Sequence, residues 1–308
     1  MSRSSRSPFR DLHGIVLLDK PSGLSSNQAL QAVRRLLRAS KGGHTGALDP
    51  MATGLLPLCF GEATKLAGML LGSRKAYLAE CRLGITTETA DREGDVLERR
   101  AVPDLDPATI DAALGRLRGQ IWQVPPAYSA LKQDGERLYL KARRGEVVDV
   151  PAREVVVHRL ELLDYTDDSL QLLVECGSGT YVRSLAVDLG EDLGCGAHLT
   201  ALRRTWVEPF REPKMVTLEQ LEQAAEEGDE AMLAWLLPVA AGVADLPALH
   251  LDESQSMAIS RGQQIVLPGL QQGGPCAAFA SDGALLALLE PDDLGRARVI
   301  RGFNLPPD

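Results

Sequence analysis

The chain has 308 residues, of which 44% are hydrophobic and 24% charged. This composition is typical of a soluble globular protein and excludes wholesale disorder. Its longest uncharged stretch that is also predominantly apolar, Ala231 to Ala244, has 14 residues, whereas a membrane-spanning helix needs about 20, so an integral membrane protein is excluded as well. The formal net charge of −9 argues against a protein that binds nucleic acid over its whole surface.

Apolar spacing and turn residues divide the chain into short strands and helices. In chain order they predict strand 14–19, a helix from Ser25 or Ser26 to about Ser40, glycine-rich loop 41–50, helix 62–71, strand 75–83, polar loop 84–94, helix 107–117, strands 155–163 and 170–176, helix 180–193 and strand 199–207. Residues 1–12 precede an apolar run too short for a signal peptide. We therefore expect a disordered basic arm on a cytoplasmic protein.

Two further segments define the domain organisation. Residues 124–151 are broken by prolines and basic residues, which indicates an excursion from the main body. After a linker at 238–247, the last residues show short apolar runs between glycines and prolines, a pattern typical of a small β-barrel. The fold class is therefore α+β, with a main domain over residues 13–240 and a second domain over residues 245–308.

Cysteine and histidine residues are few and scattered. The five cysteines form no CxxC pair, and the five histidines show no HxxxH or HExxH spacing. Structural zinc sites and redox pairs depend on such spacings. We therefore predict buried free thiols in a reducing compartment and no structural metal site.

The net negative charge conceals an uneven distribution. Residues 1–50 carry eight Lys and Arg against three Asp and Glu, whereas residues 151–250 carry seven against eighteen. A polyanion needs a local basic face, which composition alone does not distinguish from the solvated side of ordinary helices. The candidate faces are a first group of Arg34, Arg35, Arg38 and Lys41, and a second group, which we name the insertion cluster, of Lys132, Arg137, Lys141, Arg143 and Arg144.

The segment 43–54 (GHTGALDPMATG) concentrates glycine around one acid. Pro50 biases Asp49 towards extended backbone geometry, which would hold its carboxylate out from the loop, and His44 and Thr45 lie close by in sequence. The segment matches neither GxxxxGK[ST] nor GxGxxG, so a phosphate-binding loop has weak support. It predicts a conformationally demanding loop that is either catalytic or simply an Asp-Pro turn.

Three further residues have both a functional and a structural interpretation. Tyr77 could stack on a base or fill the core, and Asp91 lies in a loop where solvated acids are usual. Arg183 follows a Gly-Ser-Gly turn and falls in the first turn of a predicted helix, where the helix dipole disfavours a cation. An acidic partner near Arg183 would explain its position.

Seven motifs follow one another in the order of a known family. They are LDKPSG (18–23), GHTGALDPMATG (43–54), GEATK (61–65), PAYSALK (126–132), GTYVRSL (179–185), GCGAHL (194–199) and LRR (202–204). With them the chain resembles the bacterial tRNA pseudouridine synthase B (TruB) family, strongly over residues 14–210 and more weakly beyond. The resemblance implies a pseudouridine-synthase catalytic domain, with a mixed, largely antiparallel sheet flanked by helices, and a small C-terminal PUA-like RNA-binding domain.

The resemblance also implies the reaction. Uridine 55 in the T loop of tRNA is isomerised to pseudouridine: the base is detached from carbon 1′ of ribose, turned and reattached through carbon 5, without a metal or organic cofactor. Asp49 matches the catalytic aspartate, and addition to the base, attack on ribose and elimination at carbon 2′ all stay open. Each route needs an ionised carboxylate. Arg183 matches its partner, and an opposite charge within about 4–6 Å lowers an Asp pKa by about 1–3 units.

The remaining site residues are implied by the same match. Because the uridine lies inside a folded loop, it must be flipped out at a cost of a few kcal/mol. Tyr77 would stack on the flipped base, His44 would contact the disrupted loop, and the insertion 124–151 would close on the RNA. Pocket or substrate contacts are implied for Tyr181, Leu202 and Asp91, loop support for Lys20 and Pro21, and RNA-backbone contacts for Lys132, Arg137, Lys141 and Arg143.

Two other functions are compatible with many of these features. An RNA-binding protein could remodel tRNA folding, with chemistry secondary or absent, and a relative that modifies ribosomal RNA would need guide-RNA partners. The intact Asp49, Tyr77 and Arg183 favour an enzyme, without excluding folding assistance beside catalysis. The insertion and the short C-terminal region favour a stand-alone tRNA enzyme, which we expect to be a monomer without an obligate protein partner.

Overall fold

A computed structural model describes residues 9–129, 131–133, 135–146, 150–270 and 273–305, without the side chains of residues 132, 133, 137, 139, 142 and 143. The strands are β1 (Gly14–Lys20), β2 (Gly42–His44), β3 (Thr53–Phe60), β4 (Lys75–Leu83), β5 (Ile85–Thr87), β6 (Val96–Arg99), β7 (Gly119–Gln123), β8 (Lys132–Gln133), β9 (Glu136–Arg137), β10 (Arg153–Tyr165), β11 (Ser169–Cys176), β12 (Ala197–Val207), β13 (Ala248–His250), β14 (Cys276–Phe279), β15 (Leu285–Pro291) and β16 (Ala297–Gly302). The α-helices are α1 (Ser26–Leu37), α2 (Ala67–Leu71), α3 (Pro107–Arg116), α4 (Leu138–Arg143), α5 (Val182–Asp192), α6 (Leu218–Glu227), α7 (Asp229–Leu233) and α8 (Glu253–Ser260), and 3-10 turns span Gly61–Leu66 and Val239–Val243.

The main sheet has eight strands in the order β1-β3-β12-β4-β11-β10-β7, with β2 paired to the side of β3. Its described pairs are antiparallel except for β3 and β12, which run parallel. Helices α3 and α5 pack against each other and against strands of this sheet. The predicted mixed, largely antiparallel sheet flanked by helices is therefore confirmed.

Strands β1 and β3 are buried on both faces. Val16 and Leu18 of β1 belong to the hydrophobic core beneath α1, whereas Ile15 and Leu17 belong to a second core on the opposite side. Strand β3 divides in the same way. A strand covered on both faces shows a continuous apolar run rather than alternation, which accounts for the sequence of both strands.

Strand β3 was missed by the sequence analysis. Its run contains Gly54 and Pro57, two residues that normally argue against a central strand. Pro57 pairs with Leu17 across the sheet, and its carbonyl accepts a hydrogen bond from the Thr45 N–H at 3.2 Å. The strand thus forms around a residue that can accept a backbone hydrogen bond but cannot donate one.

Most other elements agree with the prediction, with four differences. Helix α1 begins after Ser25, which forms a capping box with Gln28, but it ends at Leu37, because Arg38 is left-handed with φ 52°. The glycine-rich loop contains the short strand β2, and the polar loop 84–94 contains β5, which pairs with β6. Helix 62–71 is divided into a 3-10 turn and α2. These differences concern the ends of helices and strands of three or four residues, which apolar spacing does not define.

The C-terminal residues form a separate four-stranded sheet in the order β13-β14-β15-β16. Its inner side packs on the second core, where Leu285, Leu288 and Phe303 meet Ile15 and Leu17. Two polar contacts fasten the same junction: Lys65 Nζ donates to the Gly302 carbonyl at 2.8 Å, and the Asn304 N–H donates to Glu62 at 2.7 Å. The C-terminal sheet domain is confirmed, while closure into a barrel stays a prediction.

The predicted arm is described only from residue 9. Arg10 forms a bridge with Ala39, donates to the Leu37 carbonyl at 3.2 Å and forms an ion pair with Asp229 at 2.7 Å. Residues 1–8 lie outside the described part. Within the described part, no helix is long and apolar enough to cross a bilayer.

Candidate active site

The site is built around the loop that joins β2 to β3 and carries Asp49. Ser26, in the first turn of α1, fixes this loop by hydrogen bonding to both backbone groups of Leu48: its hydroxyl accepts from the Leu48 N–H at 2.7 Å and donates to the Leu48 carbonyl at 3.1 Å. The Ala52 N–H donates to the Asp49 carbonyl at 3.0 Å. The Asp49 backbone is therefore held from both sides, while its side chain keeps 35% of its surface exposed.

Lys20 at the end of β1 is buried beneath this loop. Its ammonium donates to the carbonyls of Pro21 at 2.8 Å, Leu24 at 2.6 Å and Pro50 at 3.3 Å. Burial lowers the pKa of Lys20 to about 8, although Glu93 and Asp49 act in the opposite direction. The contact with Pro50 places the Lys20 ammonium beside the residue that follows Asp49, and the role of Lys20 and Pro21 in supporting the loop stays a prediction.

Arg183 meets the catalytic loop from the first turn of α5. Its Nε lies 2.9 Å from Asp49 Oδ2, and its Nη2 donates to Asp49 Oδ1 at 3.2 Å. The remaining donors reach the carbonyls of Thr89 at 2.9 Å and Tyr128 at 2.8 Å. The acidic partner that the helix position of Arg183 required is thus Asp49.

Asp91 lies behind the arginine rather than on an open surface. It is buried, and its Oδ2 is 3.7 Å from Arg183 Nε. Its Oδ1 accepts from the Thr89 hydroxyl at 2.6 Å and the Glu93 N–H at 3.0 Å. This placement lets Asp91 orient Arg183 and leaves little of its carboxylate for a substrate.

Opposing influences act on the Asp49 carboxyl. Burial raises the pKa of Asp49 above its usual value, and the nearby Asp91 carboxylate adds to the rise, while the Arg183 guanidinium and, more weakly, Lys20 lower it. An ionised Asp49 therefore depends on Arg183, since the guanidinium is the strongest influence that favours the anion.

Tyr77 and Arg204 stand opposite each other on β4 and β12. Both are buried, and burial raises the pKa of the Tyr77 phenol. Arg204 fixes the far side of the catalytic loop, with Nε donating to the Leu55 carbonyl at 2.7 Å and Nη2 to the Gly46 carbonyl at 3.1 Å. His44 lies on β2, and burial together with Arg204 lowers its pKa.

Tyr181 caps the start of α5 and is held by its neighbours. Gln123, the last residue of β7, donates to the Tyr181 carbonyl at 3.1 Å and accepts from its N–H at 2.8 Å. The guanidinium of Arg153 lies 5.1 Å from the Tyr181 ring centre. Leu202 is buried on β12, in register with Ala79 of β4.

The structure brings Asp49, Arg183, Asp91, Lys20 and Tyr77 into one electrostatic neighbourhood. Of the insertion cluster, Lys141 is half-buried on α4, and the side chains of Lys132, Arg137 and Arg143 lie outside the described residues. Arg144 is paired with Glu136 at 2.7 Å and Glu146 at 2.6 Å. Its charge is therefore already balanced within the insertion.

Sequence reasoning missed three buried polar residues at the site: Lys75, Gln123 and Arg204. One signal was present, because alternation along β4 places Lys75 on the same buried face as Tyr77. The described residues contain no group of three His, Cys, Asp or Glu side chains that could hold a metal ion.

Comparison with known proteins shows the same sequence pattern elsewhere. Residues 34–182 match the family model of the TruB family pseudouridylate synthase N-terminal domain, and residues 183–244 match that of the tRNA pseudouridylate synthase B C-terminal domain. The tRNA pseudouridine synthase B of Xanthomonas campestris pv. campestris (strain 8004) is 58% identical, covering 97% of this chain and 96% of its own length. The enzyme of that name from Xylella fastidiosa (strain Temecula1 / ATCC 700964) is 57% identical, covering 98% and 99%.

Solved structures show the same architecture at lower identity. A chain of a Cbf5-Nop10-Gar1 complex superposes with a TM-score of 0.74 at 25% identity, covering 95% of this chain and 84% of that one. A chain of an H/ACA RNP bound to a substrate RNA containing 2′-deoxyuridine superposes with a TM-score of 0.74 at 23% identity, covering 95% of this chain and 86% of that one. At this identity the likeness shows a shared fold and no more.

Proposed function

The chain belongs to the TruB family of pseudouridylate synthases, and on that premise we propose that it isomerises uridine 55 in the T loop of tRNA to pseudouridine. Relatives at 58% and 57% identity, matched over nearly their whole length, carry the name tRNA pseudouridine synthase B. The observation that carries the proposal is the Asp49–Arg183 ion pair at the rim of the catalytic loop.

The chemistry is an isomerisation in which atoms balance within one nucleotide. The bond from ribose carbon 1′ to base nitrogen 1 breaks, the bond from carbon 1′ to base carbon 5 forms, carbon 5 loses a proton and nitrogen 1 gains one. Asp49 is the anionic group that initiates this exchange, whether at the base, at carbon 1′ or at carbon 2′. Arg183 stabilises the anion, and Asp91 acts through Arg183 by holding its guanidinium in place.

Access to the uridine requires that it be flipped out of the T loop, at a cost of a few kcal/mol. Tyr77 stacks on the flipped base, Tyr181 and Leu202 line its pocket, and His44 contacts the loop that the base has left. The insertion takes part in this capture. Arg183 donates a hydrogen bond to the carbonyl of Tyr128, near the start of the insertion, and so connects the insertion to the catalytic loop. RNA is recognised in this way through shape and splayed bases more than through grooves.

We place the enzyme in the cytoplasm, acting alone on tRNA, with its C-terminal sheet as a PUA-like barrel. The five cysteines are free and buried, which agrees with a reducing compartment. The likeness to a Cbf5-Nop10-Gar1 complex at 25% identity is weaker than that to the tRNA enzymes. It does not favour a guide-dependent function, and no feature of the described residues favours RNA remodelling without chemistry.

The test is release of tritium from carbon 5 of labelled uridine in a synthetic T-arm hairpin. Wild type should release it without added RNA or cofactor, and Asp49→Asn should release none while its hairpin affinity stays within a few-fold of wild type. Asp111→Asn, which removes an exposed acid far along the chain, is the matched control and should react normally. Turnover by Asp49→Asn near the wild-type rate would overturn the assignment.

A further inference from the structure

Two positively charged side chains lie buried beside the catalytic loop without an acidic partner. Lys75 is 9% exposed and Arg204 is 1% exposed, and neither forms an ion pair with a carboxylate among the described residues. The Lys75 ammonium donates to the Leu71 carbonyl at 3.1 Å. Buried charges in proteins are normally paired, because desolvation disfavours an isolated ion.

The two cations converge on one point of the loop. A methyl group placed on Gly46 would lie 3.5 Å from Arg204 Nη1 and 4.0 Å from Lys75 Nζ. Burial, and then the neighbouring Arg204, lower the pKa of Lys75. The folded protein therefore keeps two like charges close together at a cost in stability.

Arg204 has a structural explanation, whereas Lys75 has none. The guanidinium of Arg204 bonds to the carbonyls of Leu55 and Gly46 and so holds the two arms of the loop. Lys75 makes a single described hydrogen bond, to Leu71, whose carbonyl also accepts from the Ser178 hydroxyl at 3.2 Å. Two of the three ammonium donors are thus left for a partner.

Two further polar atoms next to Gly46 are buried without a partner in the described structure. They are the hydroxyl of Thr45, a residue that is 1% exposed, and Nδ1 of His44. Buried polar groups in folded proteins nearly always have a hydrogen-bond partner, so these two atoms point to a polar group that binds beside them. Gly46, which lies beside the two cations, directly follows the two residues that carry these atoms.

We propose that Lys75, with Arg204 behind it, binds a phosphate of the RNA backbone beside the nucleotide on which Asp49 acts. This inference rests on the proposed function, since that function supplies an RNA at this loop. A phosphodiester carries the single negative charge that the cation pair lacks, and an ammonium binds it as a compact point charge. The phosphate would position the sugar of the flipped nucleotide against Asp49.

The experiment is a binding cycle on T-arm hairpins in which each phosphate near the target uridine is replaced, one at a time, by an uncharged methylphosphonate. Wild type should lose affinity about tenfold at one position. Lys75→Met should bind the unmodified hairpin about tenfold more weakly than wild type does, and the methylphosphonate at that position should weaken its binding no further. The slope of its log affinity against log salt concentration should be smaller by about one. Lys214→Met, which removes an exposed lysine, is the control and should keep the wild-type pattern. Additive losses for Lys75→Met at every phosphate would overturn the inference.

Two readouts separate this inference from the proposed function and from a structural role. Pseudouridine formation by wild type tests the function, while the cycle reads affinity alone. If wild type forms pseudouridine but the affinity losses from Lys75→Met and from each methylphosphonate add up, only the proposed phosphate site is refuted. The melting temperature of Lys75→Met should be equal to that of wild type or higher, because a repelled cation is removed. A lower melting temperature with unchanged RNA affinity would make Lys75 structural and overturn the inference.

Discussion

Replacing Arg183 with Met should shift the acid limb of the pH–rate profile to higher pH. Burial already raises the pKa of Asp49, and the guanidinium is the main influence that lowers it. An opposite charge in contact lowers an Asp pKa by about 1–3 units. Because Arg183 is 3% exposed and touches both carboxylate oxygens, at 2.9 and 3.2 Å, we expect a shift of about 2 units.

The shift translates directly into rate. One pKa unit is a tenfold change in the ionised fraction below the pKa, so a shift of about 2 units costs about 100-fold on the acid side and less as the pH rises. Single-turnover tritium release from the hairpin, followed from pH 5 to 9, measures the limb. Adding Asp91→Asn to the Arg183 variant should move the limb back down, because Asp91 raises the pKa of Asp49. An acid limb at the same pH in wild type and Arg183→Met would refute the reasoning.

Two other predictions concern the insertion and Gln123, the residue directly before it. Gln123→Ala should lower the free energy of unfolding by about 2 kcal/mol, since two neutral hydrogen bonds to the Tyr181 backbone are lost at about 1 kcal/mol each, whereas exposed Gln120→Ala should stay within about 0.5 kcal/mol. Equal urea midpoints for the two variants would contradict a stabilising role of the two Gln123–Tyr181 hydrogen bonds. Arg144→Gln should leave the salt dependence of hairpin affinity nearly unchanged, because Glu136 and Glu146 already pair with it, while neutralising the rest of the insertion cluster should lower the slope by about 0.7 per lost phosphate contact. If all these variants show the wild-type slope of log affinity against log salt concentration, the insertion cluster does not contact RNA phosphates.

The sequence was most informative where a local rule was broken. A cation in the first turn of a helix predicted an acidic partner, and Arg183 has Asp49. The Asp49-Pro50 pair within a glycine-rich segment predicted an unusual loop, which the structure shows held by Ser26 and Lys20. In both cases the signal was a local conflict that only a long-range contact could resolve.

The missed features depend on contacts that are distant in sequence. Strand β3 is recognisable only when both of its faces are known to be covered, because Gly54 and Pro57 otherwise indicate a loop. Gln123 is an unremarkable polar residue at the end of a strand until the Tyr181 backbone is placed beside it. Lys75 was open to inference from alternation, but its unpaired state depends on the absence of a carboxylate from the described residues around it.

The double burial of β1 and β3 has a consequence for how the molecule opens. The C-terminal sheet covers one side of these strands and α1 covers the other. The two domains should therefore unfold in a single cooperative transition and not independently of each other. Amide protons of β3 should then be among the slowest to exchange with solvent. The loop with Asp49 runs directly into β3, so the reactive carboxylate is attached to the strand that we expect to open last.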